Sequence, residues 1–150
     1  MNAPEYYMNE ALKEAKKASL KDEVPIGCVI VYQDKIIARA HNKRVEVEST
    51  TAHAEILAIE KANKVIGSWR LEDCDLYVTL EPCPMCAGAI MQARMRHVYY
   101  AATDPKTGAL GGLFNLFENN FNHTVLVTCG ILESESKTLI QNFFKNLREK

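Results

Sequence analysis

Two short stretches of the chain hold side chains that could do chemistry together, Thr51-Ala-His-Ala-Glu55 and Leu80-Glu-Pro-Cys-Pro-Met-Cys86. Cys83-x-x-Cys86 offers two thiolates about one helical turn apart, and His53 can supply a nitrogen from elsewhere in the fold. Three protein ligands leave the fourth position of a tetrahedral zinc open for water, whereas structural zinc sites are usually closed by four. Bound zinc lowers the pKa of its water from ~15.7 to roughly neutral. A carboxylate beside it, Glu55, can then take a proton and pass it on, a shuttle contributing on the order of 10²–10⁴-fold. A Cys-x-x-Cys pair alone would suit a structural zinc knuckle or a redox pair equally well. The His-x-Glu stretch and the lack of a fourth ligand motif favour a catalytic metal.

His-Ala-Glu followed downstream by Pro-Cys-Pro-Met-Cys resembles the zinc-dependent nucleobase deaminases, whose signature has this form. One geometric difficulty attends that assignment. Residues i and i+2 in mid-helix diverge by about 200°, at ~100° per residue. His53 and Glu55 can therefore face one metal only if the first turn is irregular or Glu55 curls back. Residue periodicity does not choose between these, and the resemblance implies only that both groups reach the site.

The elements that must position these residues are legible from periodicity. Pro4 suits a first helical turn, and Met8, Ala11, Leu12, Ala15 and Ala18 recur on one helical face. Val24 to Val31 and Ile36 to Ala40 form a predicted hairpin about the turn Gln33-Asp-Lys35. His41 and Asn42 lead into a polar surface loop that runs to Thr50. Ile56, Leu57, Ile59, Ala62 and Val65 then predict a helix stopped by Gly67, with His53 near its start.

Asp75 to Leu80, Cys83 to Arg94 and His97 to Ala101 make a β-α-β unit with parallel strands. Its cysteines fall where the first strand meets the helix, the edge of an open α/β sheet where ligands bind. The unpaired N–H groups of that helix start favour ionised thiolates. Residues 103–112 read as a long loop, Leu113 to Phe117 as a short helix and Val125 to Cys129 as a final strand. A last helix carries Leu139, Ile140, Phe143, Phe144 and Leu147. Strands alternating with helices predict an α/β sandwich on a five-stranded, largely parallel sheet with an antiparallel first hairpin. With the deaminase resemblance this implies a three-layer α/β/α, cytidine-deaminase-like fold, a mixed sheet flanked by helices.

At 150 residues the chain is expected to be a single domain, 1–150, with 47% hydrophobic and 25% charged residues and no repeat or low-complexity tract. The opening Met1-Asn-Ala-Pro-Glu-Tyr-Tyr is too polar for a signal peptide, and no apolar run reaches the ~20 residues of a membrane span. A cytoplasmic protein without membrane association is expected. Five cysteines, an odd number, argue against a disulfide framework and leave Cys28, Cys74 and Cys129 as reduced structural residues in or near strands.

Nearly the whole chain resembles the bacterial tRNA-specific adenosine deaminases. The resemblance rests on Thr79-Leu-Glu-Pro-Cys-Pro-Met-Cys-Ala-Gly-Ala-Ile90 through Arg94 and on Asp104-Pro-Lys-Thr-Gly108. Val24-Pro-Ile-Gly27, Ala40-His-Asn42, Gly67-Ser-Trp-Arg70, Asn122-His123 and Phe143-Phe-Lys-Asn-Leu-Arg148 extend it. It departs at Ala101, where that family often has Gly, and at Gly112, where it often has Ser. The resemblance implies hydrolysis of adenosine to inosine at the wobble position of a tRNA anticodon, with release of ammonia. It also implies one zinc per chain, no organic cofactor, the anticodon stem-loop as partner and a homodimer. Glu55 would be the catalytic residue and His53, Cys83 and Cys86 the metal ligands.

By the same resemblance Asn42 contacts the target nucleoside, to which an amide offers both donor and acceptor. A turn residue bonded to its own backbone is the plainer reading of Asn42. Asp104 and Lys106 match a substrate-facing loop, though a solvated turn would look the same. His123 and the run Phe143, Phe144, Lys145 and Arg148 complete the expected substrate contacts, the two cations near phosphates and an aromatic stacking or anchoring the helix.

Charge offers no global attraction to RNA, since 18 basic and 19 acidic residues leave a formal net charge of −1. Two other functions remain open on the residues alone. A guanine or other free-nucleobase deaminase would share the zinc chemistry and much of the cysteine motif. A non-catalytic, zinc-stabilised binding module would have no use for Glu55.

Overall fold

Met8, Ala11, Leu12, Ala15 and Ala18 line the inner stripe of the first helix, α1 (Ala3–Ser19), in the computed structural model, which describes residues 1–148. Asn2 caps this helix by accepting from the Glu5 N–H at 2.9 Å, and Pro4 sits in the first turn, where a missing N–H breaks no helical bond. The alanines bring the helix to backbone distance from the sheet. A side chain at Gly27 would run into the Ala11 carbonyl and the Ala15 amide.

β1 (Gly27–Tyr32) and β2 (Lys35–His41) form the expected hairpin. Gln33 and Asp34 turn it with φ of 50° and 61°, left-handed values that match the twist of the flanking strands. The chain continues through α2 (Ala54–Ile66), β3 (Cys74–Leu80), α3 (Pro84–Gln92), β4 (His97–Ala102), β5 (Leu126–Cys129) and α4 (Glu133–Arg148). The strand order is β2-β1-β3-β4-β5. β3 pairs in parallel with β4 and β4 with β5, as the β-α-β pattern predicts. β1, however, is antiparallel to β3 as well as to β2, so the antiparallel part is larger than the first hairpin alone.

Residues alternate between the two faces of the sheet with the period of a strand. Cys28, Ile30, Leu76, Val78, Val98 and Tyr100 pack with Ala54, Ala58, Ala87 and Ile90 of α2 and α3. Val29, Val31, Tyr77 and Ala101 pack with Met8 and Ala11 of α1, and Ile131 and Leu132 at the approach to α4 join them. Helices therefore cover both faces, which is the three-layer arrangement. Among the described residues no helix is long and apolar enough to cross a membrane.

Three local expectations change. The buried stripe of α2 is Ala54, Glu55, Ala58, Ile59 and Ala62, leaving Val65 60% exposed. The helix expected over 113–117 contracts to a single 3₁₀ turn, Leu116–Glu118. The residues before it are drawn into a tight turn in which the Gly111 N–H donates to the Phe114 carbonyl at 2.9 Å and Leu110 bridges to Asn115. β5 lies at the sheet edge, with Leu126 and Val127 exposed. Cys28 and Cys74 are buried free thiols, whereas Cys129 is exposed.

Candidate active site

Two helix starts converge beside the carboxyl end of β3. His53 is the N-cap of α2 and has extended backbone angles, φ −76° and ψ 152°. Because it precedes the helix, the divergence expected of an i, i+2 pair does not arise, and Glu55 points inward from the first turn. Cys83 is the N-cap of α3 with similar angles, φ −75° and ψ 174°, and Cys86 lies in that helix's first turn. No side-chain cap hydrogen bond closes either helix start, and the His53 ring and the Cys83 and Cys86 sulfurs are turned toward one another instead. His53 Nδ1 stands 3.6 Å from Cys83 Sγ and 3.4 Å from Cys86 Sγ. All the donor atoms of the trio lie within 4.8 Å of one another, a group able to hold a metal ion.

The two thiols of the trio titrate against each other. A hydrogen bond from Cys86, aided by His53, holds the Cys83 thiol down to about 4. Its bond to Cys83, burial and the nearby Glu55 push Cys86 far above the ordinary thiol range. A positive charge between the two sulfurs would favour ionisation of both. The bond to Cys83 also raises His53, against its burial. Glu55 is buried, and that burial raises its carboxyl to about 7, with Cys83 acting in the same direction and His53 against it. A group that protonates near neutrality is suited to both taking and giving a proton.

With Cys86 fully buried beside them, His53, Glu55 and Cys83 line an open cleft of about 690 Å³. Asn42, Arg44, Asp104, Lys106, Lys137 and Phe144 are among the residues that line it. Asn42 is buried, and its Oδ1 accepts from the Ala54 N–H at 2.8 Å. It thus pins the 42–52 loop to the start of α2 rather than bonding its own turn. Asp104 accepts from the Lys106 and Thr107 N–H groups and from the Thr107 hydroxyl, so its carboxylate organises its own loop. Lys106 is exposed at the tip of that loop.

The other expected substrate residues divide. Phe144 reaches the cleft, while Phe143 faces the neighbouring grooves between α4 and the segments around Asp22 and Ser49. Lys145 and Arg148 are exposed on the last turns of α4 and do not line the cleft. The structure does not bring His123 to the cleft. Its Nε2 is 2.7 Å from the Met95 carbonyl, and it borders a small separate hollow with Phe117 and Phe121.

Arg44 and Glu81 are cleft residues that the sequence does not single out. Arg44 gives the rim positive charge together with Lys137, the first cation of the basic run 137–150, and only its position in the fold reveals it. Glu81 is buried, and its carboxylate accepts from the backbone of the 103–112 loop. The signal for Glu81 was its place just before Pro-Cys, but its partners lie more than 20 residues away. At Gly112, where the family resemblance departs, a side chain would meet the Asp104 carbonyl and Glu81.

The chain matches the MafB19-like deaminase family over residues 1–148. The tRNA-specific adenosine deaminase of Bacillus subtilis strain 168 is 53% identical over 151 aligned positions, covering 100% of this chain and 94% of that protein. A solved structure from studies of A-to-I editing by tRNA:A34 deaminases superposes with a TM-score of 0.85 and 46% identity, over 89% of this chain and 98% of that one. The guanine deaminase of Nitrosomonas europaea superposes with a TM-score of 0.79 and 25% identity, over 95% of this chain and 85% of that one. An open cleft over a two-helix His/Cys/Cys cluster, together with these likenesses along nearly the full length, places the chain in the family of bacterial tRNA-specific adenosine deaminases.

Proposed function

We propose that the chain is a zinc enzyme that hydrolyses adenosine to inosine at the wobble position of a tRNA anticodon, consuming water and releasing ammonia. The observation that carries this reading is the buried Glu55 beside the His53, Cys83 and Cys86 donors at an open cleft. Zinc bonds of ~2.0–2.1 Å to nitrogen and ~2.3 Å to sulfur in a tetrahedron separate the two donors by about 3.5 Å. The spacings from His53 Nδ1, 3.6 and 3.4 Å, fit that ion. When bound, it supplies an ionised water near neutral pH.

The chain's own groups perform the remaining tasks. His53 and the two cysteines would hold the ion beside the cleft. Glu55 takes a proton from the attacking water and delivers it to the substrate, so that the amino group leaves C6 of adenine as ammonia. Asn42, buried at the edge of the cleft, keeps the α2 start in place and can present its amide to the nucleoside. The resemblance assigns substrate contact also to Asp104, Lys106, Phe143, Phe144, Lys145, Arg148 and His123, the last at a distance from the cleft.

Adenosine in RNA is favoured over a free base by the cleft's openness and rim. Arg44, Lys106 and Lys137 surround it, while Glu81 spends its oxygens on backbone N–H groups and Asp104 on backbone N–H groups and the Thr107 hydroxyl. A splayed RNA loop needs open surface and cations for phosphates, whereas a free base needs a small closed pocket. The likeness to guanine deaminases keeps the free-base reading as the competitor. Family resemblance also supports a homodimer and a cytoplasmic location with the tRNA. Elemental analysis together with rates on an anticodon stem-loop, free guanine, cytidine and adenosine decides the matter. One zinc per chain and turnover of the stem-loop alone is the expected result, and efficient guanine deamination with no action on RNA would overturn it.

A further inference from the structure

We propose that Glu81 is a positioning residue for substrate capture, holding the 103–112 loop at the cleft through its carboxylate. The inference deepens the proposed RNA function and rests on it only for the choice of substrate. Glu81 follows β3 directly and precedes Pro82-Cys83, so the residue that anchors the loop is also two positions from a metal donor. Its Oε1 accepts from the Asp104 N–H at 2.9 Å, and its Oε2 accepts from the Leu110 and Gly112 N–H groups at 2.8 Å each. Among the described residues no lysine or arginine pairs with this buried carboxylate, so those backbone groups are what compensate its burial.

The loop is shaped around this group. Side chains at Gly108 and Gly112 would both collide with the Glu81 carboxylate and with the Asp104 carbonyl, so glycine at these positions lets the backbone close on it. The Ala109 N–H donates to the Pro82 carbonyl at 2.9 Å, which ties the loop a second time to the segment before Cys83. Gly108, Ala109 and Leu110 are buried as a result, while Pro105, Lys106 and Thr107 stand exposed at the tip. A tip that lines the cleft on a base held this firmly is ordered before substrate arrives, and pre-ordering lowers the entropy lost on binding.

Glu81→Gln tests the idea with little change of shape. Whichever way the amide is turned, its NH₂ faces at least one of the loop N–H donors. Expected are one zinc per chain, a KM for the anticodon stem-loop raised about tenfold or more, and a kcat changed less than about threefold. Amide hydrogen exchange at Asp104, Leu110 and Gly112 should quicken by about tenfold or more. Gly108→Ala attacks the same contact from the loop side, since its Cβ would meet the Glu81 carboxylate. It should raise KM similarly, and the double variant should be no worse than the worse single one. Should Glu81→Gln lose zinc or fail to fold, Gly108→Ala still carries the KM and exchange measurements. The proposal is overturned by unchanged KM and exchange, by a fall confined to kcat, or by additive effects of the two substitutions. A parent enzyme that ignores the stem-loop would overturn the substrate assignment instead, and the exchange measurement would still decide the role of Glu81.

Discussion

His53 Nδ1 and Cys83 Sγ lie 3.6 Å apart although each residue is the N-cap of a different helix. Both have extended backbones, and neither spends its side chain on capping. The site is therefore an arrangement of two helix starts, and its geometry depends on how α2 and α3 are seated against the sheet. Partial positive charge at the start of α3 favours the ionised form of the Cys83 thiol gathered there.

Replacing Cys86 by Ala should remove the metal, because it takes away one donor of the trio and leaves an incomplete set. The loss should also lower thermal stability, with on the order of 10 kcal/mol, seen for zinc in small peptides, as an upper guide. Elemental analysis and a melting curve provide the check, and full zinc occupancy in the variant would remove Cys86 from the ligands.

Glu55→Ala should separate chemistry from coordination. Zinc and fold are expected to persist while kcat falls by about 10²–10⁴-fold, the usual worth of a proton shuttle. Activity above about a tenth of the parent, a barrier change below ~1.4 kcal/mol, would mean that another group moves the proton.

Asn42→Ala should affect both binding and the site's seating, since Oδ1 is the acceptor for the buried Ala54 N–H. Leaving that N–H unpaired costs about 1–3 kcal/mol of stability. Asn42→Asp keeps an acceptor and should recover stability while losing the amide donor. Denaturant melts and steady-state rates on the stem-loop distinguish the two tasks, and equal stability of the Ala variant and the parent would rule out the anchoring role.

Neutralising Lys145 and Arg148 together should weaken RNA binding and flatten its salt dependence without altering zinc content. These residues are exposed on the last turns of α4, beyond the cleft-lining Phe144. The effect should appear mainly in KM, because cations paired with remote phosphates hold the ground state and the transition state equally well. An unchanged affinity and salt slope in the double variant would exclude this end of α4 from the RNA surface.

Stability at low pH should depend on Glu14. Burial alone would raise its carboxyl, but Lys17, His41 and Arg39 hold it below the usual carboxylate range, and Glu10 shares the Arg39 contact. A depressed folded value means that the stabilisation is present above the unfolded value of ~4.3 and is lost as pH falls through the folded one. Urea melts at pH 7 and pH 3 should show a smaller acid loss for Glu14→Gln than for the parent. Equal losses would mean that Glu14 carries none of it.

The cluster of His53, Cys83 and Cys86 was legible in the sequence because each side chain belongs to a short local pattern, and the parallel β3-α3-β4 unit because its period shows in consecutive residues. The antiparallel pairing of β1 with β3 was not, since it joins strands separated by β2 and α2 and leaves no local mark. The α2 face was misplaced at Val65 because apolar residues were assumed to point inward. In fact the buried stripe includes the ionisable Glu55, which faces the cleft from the first turn of α2. Glu81 stayed hidden for a related reason, as backbone N–H groups carry no residue-type signal.

The backbone contact between Gly27 and α1 bears on how the protein could change over generations. Gly27, where a side chain would meet the α1 backbone, and the two helix starts that gather the donors tolerate little substitution. The cleft walls come instead from exposed side chains such as Lys106, Lys137 and Phe144, on elements that carry no metal donor. Selection can therefore retune which base is admitted by altering those walls while the hydrolytic apparatus stays intact. Directed libraries confined to the wall positions should yield folded, zinc-loaded proteins far more often than libraries placed around Gly27 or the two helix starts.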